Sequence, residues 1–114
     1  MRVLLVEDEP LVAMLLEDFV VELGHVVVGP VASVAEALAC VAGGGFDVAV
    51  LDLNLGGERS DAVAAALDAI GRPYVFATGY GRHGLADDDD RVVLQKPYGR
   101  DQIAEALALA TGRR

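Results

Sequence analysis

Five short apolar runs punctuate the chain: "RVLLV" (Arg2–Val6), "HVVVG" (His25–Gly29), "FDVAVL" (Phe46–Leu51), "PYVFA" (Pro73–Ala77) and "RVVL" (Arg91–Leu94). None shows the strict alternation of a strand with one face in water, so each reads as buried on both sides. Between them the period changes to three and four. Leu11, Val12, Leu15, Leu16, Phe19, Val20 and Leu23 form the stripe of an amphipathic helix that Gly24 stops. Ser33 is placed to cap a helix carrying Val34, Leu38 and Val41, ended by Gly43-Gly44-Gly45. Val63, Leu67 and Ile70 mark a third helix stopped by Gly71, and Ile103, Leu107 and Ala110 mark a last one. Such alternation predicts a parallel sheet with helices on both faces. Right-handed crossovers then favour an α/β, flavodoxin-like, doubly wound sheet of five strands in the order 2-1-3-4-5. One crossover departs from the rule. Between Ala77 and Arg91 stands only "TGYGRHGLADDDD", where no amphipathic helix is legible. The fourth helix is expected to be shortened or disordered.

A chain of 114 residues has room for one core, so residues 1–114 are read as one domain. No apolar run nears the ~20 residues needed to span a bilayer. Met1-Arg2 leads into a strand and not into a signal peptide. The expectation is a cytoplasmic protein with no membrane partner. A net charge of -9 argues against nucleic acid, because phosphate backbones need clustered Lys and Arg. Cys40 is the single cysteine, which excludes a disulfide framework and suits a small core residue. The run Asp87–Asp90 lacks the spacing and the bidentate Glu of a calcium loop and reads as solvated. His25 and His83 have no metal-spaced partner and are expected at the surface. Positive charge is carried by arginine everywhere except at Lys96, which invites a specific explanation.

In a doubly wound sheet, ligands bind beyond the carboxyl ends of the strands. There the polar residues fall: Glu7-Asp8-Glu9 after the first run, Asp52 after the third, Thr78 after the fourth, and Lys96 with Pro97 after the fifth. Each alone has an ordinary reading as a cap or turn residue. Together they would be four coincidences. Two carboxylates ~4 Å apart repel by ~4 kcal/mol at an effective dielectric of 20, so Asp8 and Asp52 share a cleft only with a cation between them. Oxygen ligands without His or Cys suit Mg²⁺. Lys96 is a point charge for a phosphoryl group, the Thr78 hydroxyl can hydrogen-bond it, and Pro97 ends the strand and redirects the chain. An Asp nucleophile, a divalent metal and a lysine make a site that forms an aspartyl phosphate.

These residues resemble the receiver domains of two-component response regulators. "VLLVEDEP" is similar to the acidic-pair motif, "VLDLNLGGE" to the phosphoacceptor loop, "ATG" to the switch-hydroxyl motif and "LQKPY" to the lysine–proline motif, in the family's order across nearly the whole chain. The resemblance implies that Asp52 accepts phosphate from a sensor histidine kinase and that the chain is not an enzyme. It implies Mg²⁺ on Asp8, Asp52 and the Asn54 backbone carbonyl, with Glu7 assisting through water, and phosphoryl contacts from Thr78 and Lys96. "PYVFATGY" with "LNLGGERS" resembles a narrower group, the stand-alone alphaproteobacterial receivers named for a Phe-Ala-Thr-Gly motif and often associated with HWE-type kinases. Output is then expected through an unknown downstream protein or a phosphate relay.

Two departures from the family pattern stand out. Val93 occupies the place of the usual aromatic switch residue, and the fourth helix is missing from the pattern. Phosphorylation is expected instead to order residues 79–90, with Tyr80 as the candidate mobile aromatic. Two rival functions belong to other classes. One is a small haloacid-dehalogenase-like phosphohydrolase, which wants an acid two residues after its nucleophile, where this chain has Asn54. The other is a receiver-like binding module that is never phosphorylated.

Overall fold

The computed structural model describes residues 1–78 and 92–112. In chain order they form β1 (Arg2–Val6), α1 (Pro10–Glu22), β2 (Val26–Val31), α2 (Val34–Gly43), β3 (Val48–Asp52), β4 (Asn54–Leu55), β5 (Glu58–Arg59), α3 (Asp61–Ala69), β6 (Tyr74–Thr78), β7 (Val93–Gln95) and α4 (Arg100–Thr111). The five long strands are parallel and lie in the order β2-β1-β3-β6-β7, which is the 2-1-3-4-5 order expected. Register levels their ends: Val6 pairs with Leu51, Asp52 with Ala77, and Thr78 with Gln95.

The continuous apolar runs have a direct physical cause, because each side of the sheet has its own core. Leu4, Val6, Ala49, Leu51, Tyr74 and Phe76 pack against α2 and α3, through Ala37, Val41, Val63 and Leu67. The intervening Val3, Leu5, Val48, Val50, Val75 and Ala77 pack against α1 and α4, through Leu16, Val20, Ile103 and Leu107. Burying each Leu, Val or Phe contributes ~1.5–3 kcal/mol, so both faces of the strands must be apolar. Tyr74 and Phe76 meet edge to face, 5.5 Å between ring centres. The helix punctuation follows the residues. Ser33 accepts a hydrogen bond from the Glu36 N–H at the start of α2, and Gly24, Gly44 and Gly71 carry positive φ just beyond α1, α2 and α3.

Several boundaries differ from the sequence reading. β2 runs past Gly29 through Pro30 to Val31, because an edge strand tolerates a proline and a register shift opposite Leu4 and Val6 absorbs one extra residue. β7 ends at Gln95 and begins at Val93, with Val92 outside it. Asp52 and Thr78 close their strands and do not follow them. On α1 the apolar stripe is wider than the sheet can cover. Ala13, Leu16 and Val20 are buried, whereas Leu11 is 80% and Leu15 49% exposed. Ile70 lies past the end of α3 and is exposed. His25 is half-buried, its Nδ1 3.1 Å from the Met1 amine. Cys40 is half-buried against the core, as expected. The fourth helix, residues 79–91, and with them Tyr80, His83 and Asp87–Asp90, lie outside the described residues. Among the described residues no helix is long and apolar enough to cross a membrane.

Candidate functional site

The levelled strand ends place Glu7 and Asp8 beyond β1, Asp52 at the end of β3, Thr78 at the end of β6 and Lys96 beyond β7. A cavity of about 360 Å³ is lined by Asp8, Asp52, Asn54, Thr78, Lys96 and the Gly56-Gly57 turn. The four strand-end residues singled out by the sequence therefore meet in one place. The Lys96 ammonium bridges two carboxylates, 2.9 Å from Glu7 Oε1 and 3.3 Å from Asp52 Oδ2. Glu7 is buried, and the Glu9 N–H donates to its Oε2 at 3.1 Å. Asp8 Oδ2 accepts the Gly56 N–H at 2.9 Å. Thr78 is buried at the cavity wall, and its carbonyl oxygen accepts the Lys96 N–H at 2.8 Å. Pro97 follows Lys96 through a cis peptide bond.

Gly56 and Gly57 form the two-residue turn of an antiparallel hairpin, with Asn54 opposite Arg59 and Leu55 opposite Glu58. Their φ values of 58° and 87° are those of a primed turn, which a side chain would strain. That turn delivers the Gly56 N–H to Asp8. Ser60 anchors the other end of the loop: fully buried, its hydroxyl donates to the Asp52 carbonyl oxygen at 2.6 Å, with that of Leu53 at 3.1 Å. Sequence reasoning missed the hairpin and Ser60. The Gly-Gly pair between short polar-flanked segments was a signal for the first; nothing local announces the second. Glu7, expected to assist the metal through water, pairs directly with Lys96.

Electrostatics at the site are lopsided. Burial, and then the Glu7 carboxylate, push the Asp52 carboxyl up to about 7, against the pull of Lys96. Burial alone would lower Lys96, but Glu7 and Asp52 outweigh it and hold the ammonium above its ordinary value. Partial burial opposes ionisation of Asp8, yet the Gly56 N–H keeps its carboxyl below the usual range. Glu7, Asp8 and Asp52 each present an oxygen within 4.8 Å of the others. Three carboxylates so close, with one ammonium among them, form a hard-oxygen set that suits a small divalent cation. The donor set fits Mg²⁺.

With this geometry in hand, comparison with known proteins is specific. The family model of the response regulator receiver domain matches residues 3–108. The solution structure of SdrG from Sphingomonas melonis is similar, with 53% identity and a TM-score of 0.85 over 95% of this chain and 93% of that one. The BeF3-activated conformation of SdrG superposes with a TM-score of 0.83 at 52% identity, over 96% of this chain and 95% of that one. The transcriptional regulatory protein TcrA of Mycobacterium tuberculosis is 34% identical over 98% of this chain and 46% of its own length. The chain thus spans about half the length of that curated relative.

Proposed function

The chain belongs to the response regulator receiver domain family, and from that premise we propose that Asp52 is its phosphoacceptor, charged by a sensor histidine kinase with Mg²⁺ bound beside it. Receiver domains take part in two-component signalling as phosphoacceptors, receive their phosphate from histidine kinases, and are generally not enzymes in their own right. The observation that carries the assignment to Asp52 is the convergence of its carboxylate with Lys96 at 3.3 Å, in the cavity that Asp8 and Thr78 also line.

In the reaction a carboxylate oxygen of Asp52 attacks phosphorus. The P–O bond forms as the bond from phosphorus to the donor's imidazole nitrogen breaks, and the electron pair leaves with the imidazole. Asp8, Asp52 and the Asn54 carbonyl would hold the metal, with Glu7 behind them. When bound, Mg²⁺ neutralises the charge gathered around the incoming phosphoryl group. Once the Asp52 carboxylate is phosphorylated, Lys96 turns from it to a phosphoryl oxygen, and the Thr78 hydroxyl donates to another. Asn54 lines the cavity where a phosphohydrolase of this chemistry carries an acid, and a neutral amide there favours a lasting acyl phosphate.

We place residues 1–114 in one cytoplasmic receiver domain. Its kinase is of the HWE type and docks on the exposed Leu11, Met14 and Leu15 of α1. Its output passes to a downstream protein or a phosphate relay. Labelling with a small phosphodonor and Mg²⁺ tests the reading. A label that persists supports it, rapid turnover indicates a hydrolase, and no label indicates a binding module.

A further inference from the structure

The loop from Asp52 to Ser60 holds both Asp8 and Asp52. At its base the buried Ser60 hydroxyl donates to the Asp52 carbonyl oxygen at 2.6 Å, and the Ser60 N–H donates to the Leu53 carbonyl oxygen at 3.0 Å. At its tip the Gly56 N–H donates to Asp8 Oδ2 at 2.9 Å, across 48 residues of sequence. Between base and tip there is little slack, because Leu55 is buried in the core and the turn holds just Gly56 and Gly57. Asp8 itself has no strand to fix it, since β1 ends at Val6. It stands with Glu7 and Asp52 in a group whose oxygens lie within 4.8 Å of one another, where like charges push it outward. The Gly56 N–H opposes that push before any cation arrives.

The hairpin also decides which carbonyl its own ladder leaves over. Antiparallel pairs alternate between hydrogen-bonded and non-hydrogen-bonded. The bond from Ser60 to Leu53 makes that pair a bonded one, so Asn54 and Arg59, the next pair along, form a non-hydrogen-bonded pair. The Asn54 carbonyl is thereby left out of the ladder, and Asn54 lines the cavity. One short loop thus sets the oxygen donors of Asp8, Asp52 and Asn54. We propose that the β4–β5 hairpin is a brace that fixes the spacing of these donors and so selects the ion by size, with Gly56 as the positioning residue. This rests on the reading of the sheet edge as a metal-assisted phosphoacceptor. A fixed spacing suits Mg²⁺, which demands near-ideal octahedral geometry at ~2.0–2.1 Å. It penalises Ca²⁺, which takes longer bonds and more ligands from flexible sites.

The test compares wild type with Gly56→Val by calorimetric titration with Mg²⁺ alone and with Ca²⁺ alone. Valine resists the positive φ of 58° and displaces the turn. The variant should bind Mg²⁺ about tenfold more weakly and Ca²⁺ nearly as well as wild type does, so the preference for Mg²⁺ falls about tenfold. Gly56→Asn is the conservative variant: asparagine accepts the same φ, a Cβ there stands in open space, and the wild-type preference should return. A loss of stability alone would not move this ratio. Equal weakening for both ions, or weakening for neither, would overturn the role of the hairpin while leaving Asp52 as the acceptor. A wild type that binds neither ion would overturn the metal-assisted reading and this inference with it. If Gly56→Val fails to fold, the metal-free wild type decides. A Gly56 amide proton protected from exchange with solvent supports the brace, and an unprotected one overturns it.

Discussion

At Asp52 the needs of chemistry and of folding oppose each other. The carboxyl is buried 3.3 Å from one ammonium and close to the Glu7 carboxylate, and it titrates near 7 against an unfolded value near 3.8. A raised value in the folded state means that folding favours the protonated form. The ionisation of Asp52 therefore costs nothing below about pH 4, costs progressively more as pH rises toward 7, and reaches its full cost above that. Asp52→Asn should stabilise the metal-free protein by about 2 kcal/mol near pH 8 and hardly at all near pH 4, read by urea unfolding. An Asn variant no more stable than wild type near pH 8 would show that the carboxylate is not strained. Mg²⁺ should reverse the order, since it binds the native wild type and gains little from the variant. The four strand-end residues were legible in the sequence because each is a polar side chain closing an apolar run. Ser60 was not. Its role depends on which carbonyl a distant segment brings alongside, and no local pattern records that.

Elements carry this site as much as residues do. The loop after β3 is held by the Ser60 hydroxyl on the carbonyl oxygens of Asp52 and Leu53. Ser60→Ala should cost about 1–2 kcal/mol in urea unfolding, the cost of leaving buried carbonyls short of a donor. The glycines separate by surroundings. A Cβ on Gly29, at φ 90°, would stand 2.9 Å from the Val31 nitrogen and 3.1 Å from the Leu5 oxygen, both backbone atoms. Gly29→Ala should therefore destabilise by about 2 kcal/mol or more, whereas Gly56→Ala, at φ 58° in open space, should cost about 1 kcal/mol. Thermal unfolding of the two variants checks the ranking. Helices were readable from period and punctuation, Ser33 and Gly24 above all. The hairpin left only its Gly56-Gly57 pair as a signal, because strands of two residues have no periodicity. The apolar stripe on α1 is broader than its buried face, and Leu11 and Leu15 form an exposed edge. Leu11→Ser should shift stability by less than about 0.5 kcal/mol. It should slow phosphotransfer from a kinase while leaving labelling by a small donor unchanged. Equal slowing of both reactions would remove α1 from kinase docking.

Across the whole molecule, function follows from register. Pairing Val6 with Leu51, Asp52 with Ala77 and Thr78 with Gln95 brings residues some ninety positions apart in the chain to one sheet edge. The strand order was legible because runs apolar on both faces admit only a parallel sheet covered twice. The segment between β6 and β7, where a fourth helix was not legible and Tyr80 was the candidate switch, lies outside the described residues. The central claim is that this edge is a metal-assisted acceptor for phosphate. The most direct test is to incubate the chain with a small acyl phosphodonor, with and without Mg²⁺, and locate the acquired group by tandem mass spectrometry. The account predicts one phosphoryl group, on Asp52, formed only with the metal and absent from Asp52→Asn. A phosphoryl group on any other residue, or equal labelling without Mg²⁺, would contradict it.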